Sequence, residues 1–161
     1  MTLCPCGSGK ELEACCGPIL DGASSAPTAE ALMRARYAAH ALGRYDFLTE
    51  STHPEFREEA DADDIREWSS LMTWESLEIL ETSAGGPEDE TGEVSFCAHY
   101  SVQGMPPFDS LRRFSARRPY TRSNSGYAVM MLFRQPESAS NAVRISRYRR
   151  SASLFLNMRS P

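Results

Sequence analysis

Lysine is almost missing from this chain: Lys10 is the only one, and every other base is arginine. Acid is missing from the last third, where Glu137 alone follows residue 109. These two gaps make the 161-residue chain bipolar behind a net charge of −5. Residues 1–109 hold 21 of the 22 acids and six bases, a formal −15, whereas residues 110–161 hold one acid and eleven arginines, a formal +10. No apolar run approaches the ~18 residues of a membrane span, which argues against a membrane protein. The opening Met-Thr-Leu-Cys-Pro-Cys has no basic start, apolar stretch or small-residue cleavage site, so a cytoplasmic address is expected. Neither a Gly-rich phosphate loop nor a serine nucleophile elbow occurs, and His40, His53 and His99 are the only imidazoles. Catalysis therefore has little support, and a non-enzyme is the expectation. What remains, 41% hydrophobic and 24% charged residues, suits one globular domain with a small appendage.

Four of the five cysteines fall within thirteen residues, as Cys4, Cys6, Cys15 and Cys16, with Cys97 apart. An odd count in a reducing compartment argues against a disulfide framework and for thiolates as metal ligands. The spacing C-x-C-x8-C-C offers four soft donors to one tetrahedral ion, which suits zinc, and Gly7 and Gly9 let the backbone turn so that the pairs meet. Lys10 would offset the charge left on a four-thiolate zinc. So short a segment has no core of its own, so metal must supply its folding energy.

Gly22 to Pro27 is small, uncharged and proline-bearing, which reads as a linker. Thr28 then caps an expected helix over 29–42, with Leu32, Ala35, Ala39 and Leu42 as its apolar stripe and Gly43 as its stop. A second short helix starts at Tyr45 and ends near His53-Pro54, and a third, acidic one is expected over 55–70. The period then changes to two. Residues 74–80 read as a strand and 85–90 as a loop, and Val94, Phe96, Ala98, Tyr100 and Val102 alternate with polar or small residues as the clearest strand of the chain. Helices first and antiparallel strands afterwards indicate an α+β domain.

The N-terminal string, Cys4-Pro-Cys6-Gly7-Ser8-Gly9-Lys10 followed by Cys15-Cys16-Gly17, resembles the SEC-C motif, also found at the C-terminal end of the preprotein translocase ATPase SecA. That resemblance implies a zinc-binding module that docks protein partners. Leu32-Met33-Arg34-Ala35-Arg36-Tyr37, His53-Pro54, Trp74 and Gly92 to Tyr100 resemble the YchJ-type proteins, the UPF0225 family. This second resemblance implies an NTF2-like fold, a curved antiparallel sheet wrapped on helices as a cone with a pocket. The expected organisation is a zinc knuckle over 1–22, an NTF2-like domain over 28–134, and an Arg/Ser-rich tail over 135–161.

After Leu111-Arg112-Arg113-Phe114-Ser115 the family pattern stops: its Gly-x-Trp-x-Tyr-type strand and Asp-Gly turn are missing, and no second SEC-C copy follows. Residues 110–161 instead hold eleven Arg and ten Ser. One reading is a nucleic-acid-binding extension, its arginines meeting phosphates while Tyr120, Tyr127, Tyr148 and Phe155 stack on bases, with weak and non-specific affinity. The favoured one is divergent or non-native sequence, such as an out-of-frame end, in which Tyr127 to Phe133 fills the vacant strand position between Pro119 and Pro136.

Other candidate residues have plainer explanations. His53 would cap a helix end and His40 would lie on the far side of the first helix. Cys97 and His99 share a strand face, but an i, i+2 spacing of ~7 Å sets them too far apart for a direct contact. Arg36, Tyr37 and Trp74 could line a pocket, and aromatic residues at such positions usually belong to the core. The functional expectation is a zinc-binding cytoplasmic adaptor that docks a protein partner through its knuckle, with a small-molecule pocket in the NTF2-like domain. An NTF2-like enzyme, hydrolase or isomerase, is the first alternative, and nucleic-acid binding through the arginine-rich end is the second.

Overall fold

The computed structural model describes residues 2–54, 57, 62–103, 111–123 and 126–129. The tail over 135–161, Phe56, and the strand position at 130–133 lie outside these described residues. A short 3-10 turn, Leu12–Ala14, and a one-turn helix α1, Gly17–Leu20, belong to the cysteine segment. Three helices follow, α2 (Ala29–Leu42), α3 (Tyr45–Glu50) and α4 (Ala62–Ser70), and then four strands, β1 (Met72–Ala84), β2 (Thr91–Val102), β3 (Leu111–Ser123) and β4 (Gly126–Val129). The strands form one antiparallel meander in the order β1-β2-β3-β4.

Helix α2 is the spine of the molecule, and its ends are set as its sequence demands. Thr28 accepts the Ala31 amide at 3.0 Å, and Gly43 closes the helix in the left-handed region at φ 70°. The buried surface is wider than a single stripe. Ala29, Leu32, Met33 and Tyr37 pack on the sheet with Leu77, Val94, Phe96 and Ala98. Ala35, Ala38 and Ala39 face a second cluster with Leu48, Leu20 and the cysteines. Alanines on that side let two layers approach closely, whereas Leu42, assigned to the stripe by its spacing, is 42% exposed.

Helix α3 stops at Glu50 because Arg36 reaches across from α2, donating to the Leu48 carbonyl at 2.7 Å and to the Ser51 hydroxyl. Arg36 thus serves a helix end. On α4, Asp63, Asp64, Arg66 and Glu67 form the solvated face while Ile65, Trp68 and Ser69 turn inward.

Strand β2 keeps its alternation where the core needs it: Val94, Phe96 and Ala98 are buried, with Tyr100 half-buried toward the end. Strand β1 breaks alternation twice. Irregularities between Trp74 and Ser76 and between Ile79 and Glu81 each add a residue, so Trp74, Leu77, Ile79 and Thr82 pair with Tyr100, Ala98, Phe96 and Val94. The additions keep Leu77 and Ile79 on the core face and leave Leu80 49% exposed.

Where β1 turns into β2, Gly85 has φ 80° and its carbonyl accepts the Ala29 amide at 2.9 Å. A Cβ on Gly92 would lie 2.4 Å from the Gly85 Cα, so this hairpin closes on α2 only with glycine there. Beyond the point where the family pattern stops, β3 continues to Ser123 and its Tyr120 is buried, donating to Met33 Sδ at 3.1 Å. Tyr120 is therefore core rather than a base-stacking residue. Pro119 lies inside β3, opposite Glu93.

Candidate metal centre

The cysteine segment folds as a tight loop returning on itself. Leu3 bridges Glu11, the Cys4 amide donates to the Lys10 carbonyl at 2.8 Å, and the Leu12 amide donates to Thr2 at 2.9 Å. Gly7 and Gly9, at φ 76° and 75°, make the reversal that this closure requires. The Sγ atoms of Cys4, Cys6, Cys15 and Cys16 then all lie within 4.8 Å of one another. Cys6 and Cys15 are 3.6 Å apart, and Cys15 and Cys16 are 3.8 Å apart. Four metal–sulfur bonds of ~2.3 Å at tetrahedral angles separate the sulfurs by about 3.8 Å, so the four donors have the shape of a closed metal site. Cys4, Cys6 and Cys16 are 5%, 0% and 2% exposed, and Cys15 is half-buried.

Crowded thiols compete for protons. The Cys16 thiol, donating to Cys6, pulls the Cys6 pKa down to about 4 against the cost of its burial. The same pairing with Cys6, together with burial, drives Cys16 upward, and burial raises Cys4. Ser8 Oγ stands 3.1 Å from Cys15 Sγ, a further polar contact to the sulfurs. Lys10, the expected charge partner, is exposed, and its carbonyl is what the fold uses. Arg34 of α2 also reaches the segment: it donates to the Cys6 carbonyl at 3.0 Å while Glu30 accepts from its Nε at 2.8 Å. Arg44 joins Asp21 at 2.5 Å and ties the end of the segment to the next helix connection. Sequence reasoning missed Arg34 because its function spans 28 positions, although it stands within the Leu-Met-Arg-Ala-Arg-Tyr string.

The remaining candidates separate into core and surface. Tyr37 is buried, its ring 5.6 Å from Trp74 at an edge-on angle. His40, expected on the far side of α2, instead stacks 4.8 Å from Trp74, with Nδ1 3.1 Å from Ser69 Oγ, because α4 folds back over that side. Trp74 Nε1 is buried without a hydrogen-bond partner among the described residues. Cys97 Sγ and His99 Nε2 are 3.4 Å apart, which overturns the expectation of no contact. The ~7 Å spacing belongs to the backbone, and an imidazole is long enough to lean back along the strand. A cavity of about 120 Å³ lies at Thr2, Glu11, Leu12 and Glu13, away from the sheet. No helix among the described residues is long and apolar enough to cross a membrane.

Comparison with known proteins agrees with this architecture. Residues 2–18 match the SEC-C motif, and residues 28–116 match the family described as YchJ, middle NTF2-like domain. A UPF0225 protein of Geobacter sulfurreducens is 46% identical over 102 residues, covering 63% of this chain and 63% of the relative. One from Chromobacterium violaceum is 48% identical over 102 residues, covering 63% of this chain and 73% of its own length. The solution structure of a SEC-C motif-containing protein from Rhodopseudomonas palustris superposes with a TM-score of 0.70 at 35% identity, over 80% of this chain and 94% of that one. The crystal structure of a SEC-C motif-containing protein from Psychrobacter arcticus shares the fold, with a TM-score of 0.68 at 22% identity over 84% of each chain. With its SEC-C cysteines folded against helix α2 of an α+β, NTF2-like domain, the chain belongs to the YchJ-type UPF0225 family.

Proposed function

We propose that this protein is a zinc-binding interaction protein of the cytoplasm, in which Cys4, Cys6, Cys15 and Cys16 hold one structural zinc. The closure of the four-sulfur set carries the reading: the separations of 3.6 and 3.8 Å suit tetrahedral thiolate coordination, and three of the four residues are buried. Bound there, zinc supplies folding energy and no reactive position. The four-sulfur donor set supports the adaptor role, since a metal whose ligands are all protein sulfurs contributes a shaped surface rather than chemistry. Leu3, 68% exposed on the bridge to Glu11, is the apolar part of the surface that would meet a protein partner.

A ligand pocket in the NTF2-like domain is the second half of the proposal, supported by the orphaned Trp74 indole N–H among Tyr37, His40, Trp68 and Tyr100. A buried donor of this kind costs ~1–3 kcal/mol until an acceptor meets it, which a small molecule would supply.

The test is metal analysis of protein purified without added zinc. The native chain is expected to carry zinc at this four-sulfur site, and Cys15→Ser to carry one equivalent less. A stoichiometry near zero in the native chain, or full occupancy in that variant, refutes the assignment.

A further inference from the structure

The sheet carries a second group of metal-binding side chains that the knuckle does not use. On β2, Val94, Phe96 and Ala98 pack against α2, so the intervening residues Cys97 and His99 project from the other face. Glu78 of β1 stands directly opposite Cys97 in the register. It does so because the added residue between Trp74 and Ser76 shifts the pairing by one, and without that shift Leu77 would face Cys97. Bulges that re-aim a side chain in this way are concentrated beside functional sites.

The three donor atoms, one each from Glu78, Cys97 and His99, lie within 4.8 Å of one another. The separation of Cys97 Sγ from His99 Nε2 is 3.4 Å. A metal–sulfur bond of ~2.3 Å and a metal–nitrogen bond of ~2.0 Å meeting at a tetrahedral angle separate the two atoms by about 3.5 Å. Cys97 has no exposed surface, yet it joins neither apolar cluster of the core. Its thiol lies within 4.8 Å of the half-buried His99 imidazole and the exposed Glu78 carboxylate.

We propose that Glu78, Cys97 and His99 form a second, three-ligand site for a borderline divalent cation, zinc foremost, with its fourth coordination position open to solvent. Thiolate, neutral imidazole and carboxylate balance the two charges of the ion, and binding releases the Cys97 thiol proton to water while His99 keeps its proton on Nδ1. The open position distinguishes this site from the closed knuckle, because a three-ligand zinc can hold a water or an anionic ligand.

The experiment uses the full chain, dialysed against a weak chelator and titrated with zinc and, in parallel, with cobalt(II). Two equivalents per chain are expected, the first bringing the intense thiolate charge-transfer absorption of four sulfurs and the second a weaker band from one. His99→Gln and Glu78→Gln, at residues that are not fully buried, should each weaken the second equivalent at least tenfold and leave the first unchanged. Cys97→Ser should abolish the weaker band. Far-ultraviolet circular dichroism checks that each variant is folded. A native chain that saturates at one equivalent overturns the proposal, as does a second equivalent that survives His99→Gln and Glu78→Gln. Failure of the knuckle reads differently, as loss of the four-sulfur band with the weaker band retained.

Discussion

At Cys6 and Cys16 two buried sulfurs compete for protons, and their mutual hydrogen bond pulls Cys6 downward and drives Cys16 upward. A divalent ion resolves that conflict by replacing the protons on all four sulfurs. The proposed binding therefore has a fixed sign: metal should be held at neutral pH and released as acid returns protons to the thiolates. Zinc release followed with a chromophoric chelator should rise monotonically as pH is lowered from 7, and retention of full occupancy at pH 3 contradicts the thiolate assignment. Tyr37 titrates at the other end of the scale. Burial first, and the Glu75 carboxylate second, push its phenol from 10.0 up to about 12. Because the folded value is the higher one, stability is complete below 10.0 and is lost as pH climbs toward 12. Urea midpoints at rising alkaline pH should fall more steeply in the native chain than in Tyr37→Phe, and parallel slopes remove the linkage.

Strand β1 shows why elements cannot be read one at a time. Its two added residues gain nothing locally, and they pay off only across the sheet, where they bring Leu77 and Ile79 onto the face that β2 presents to α2. The hairpin end has the same character. Gly85 and Gly92 pass so closely that any side chain on Gly92 meets the opposite backbone, and the Ala29 amide is satisfied by the Gly85 carbonyl. Gly92→Ala should therefore destabilise the protein by about 1–3 kcal/mol, the ordinary cost of forcing extra volume into a packed contact. Chemical denaturation measures this directly, and a change under ~0.5 kcal/mol means the hairpin opens without loss.

Across the whole molecule the knuckle and the domain share one packed surface. Leu20 and the cysteines lie in the same cluster as Ala35, Ala38, Ala39 and Leu48, and Arg34 bonds the Cys6 carbonyl. Metal loss should therefore be felt beyond the first twenty residues. Chelation is expected to lower the midpoint of the main thermal transition, and Arg34→Ala to reproduce part of that drop with metal still bound. An unchanged transition in the metal-free chain would show that the knuckle hangs on the domain without supporting it. The basic end is coupled to the domain at Tyr120, whose ring fills the core between α2 and the sheet. Tyr120→Ala should cost about 3–5 kcal/mol, the penalty of removing a buried aromatic ring. A surface-like effect there would return this stretch to the status of unrelated sequence.

What the sequence by itself determined is whatever rests on neighbours along the chain. The cysteine cluster is local, since two cysteine pairs and the glycines between them fall within thirteen residues, so spacing was enough to bring the four sulfurs together on paper. Thr28 and Gly43 bound α2 by their own side-chain and backbone chemistry, and the alternation of Val94, Phe96 and Ala98 could belong only to a half-buried strand. Tertiary structure decided the rest. Leu42 faces water and His40 faces Trp74 because of where α4 and the sheet lie, not because of helical period. Arg34 reaches Cys6, Tyr120 reaches Met33 and Glu78 reaches Cys97 over separations that no local pattern records. Such contacts form only when packing brings distant faces together, and a shift of one residue in β1 pairing is enough to exchange which side chains meet.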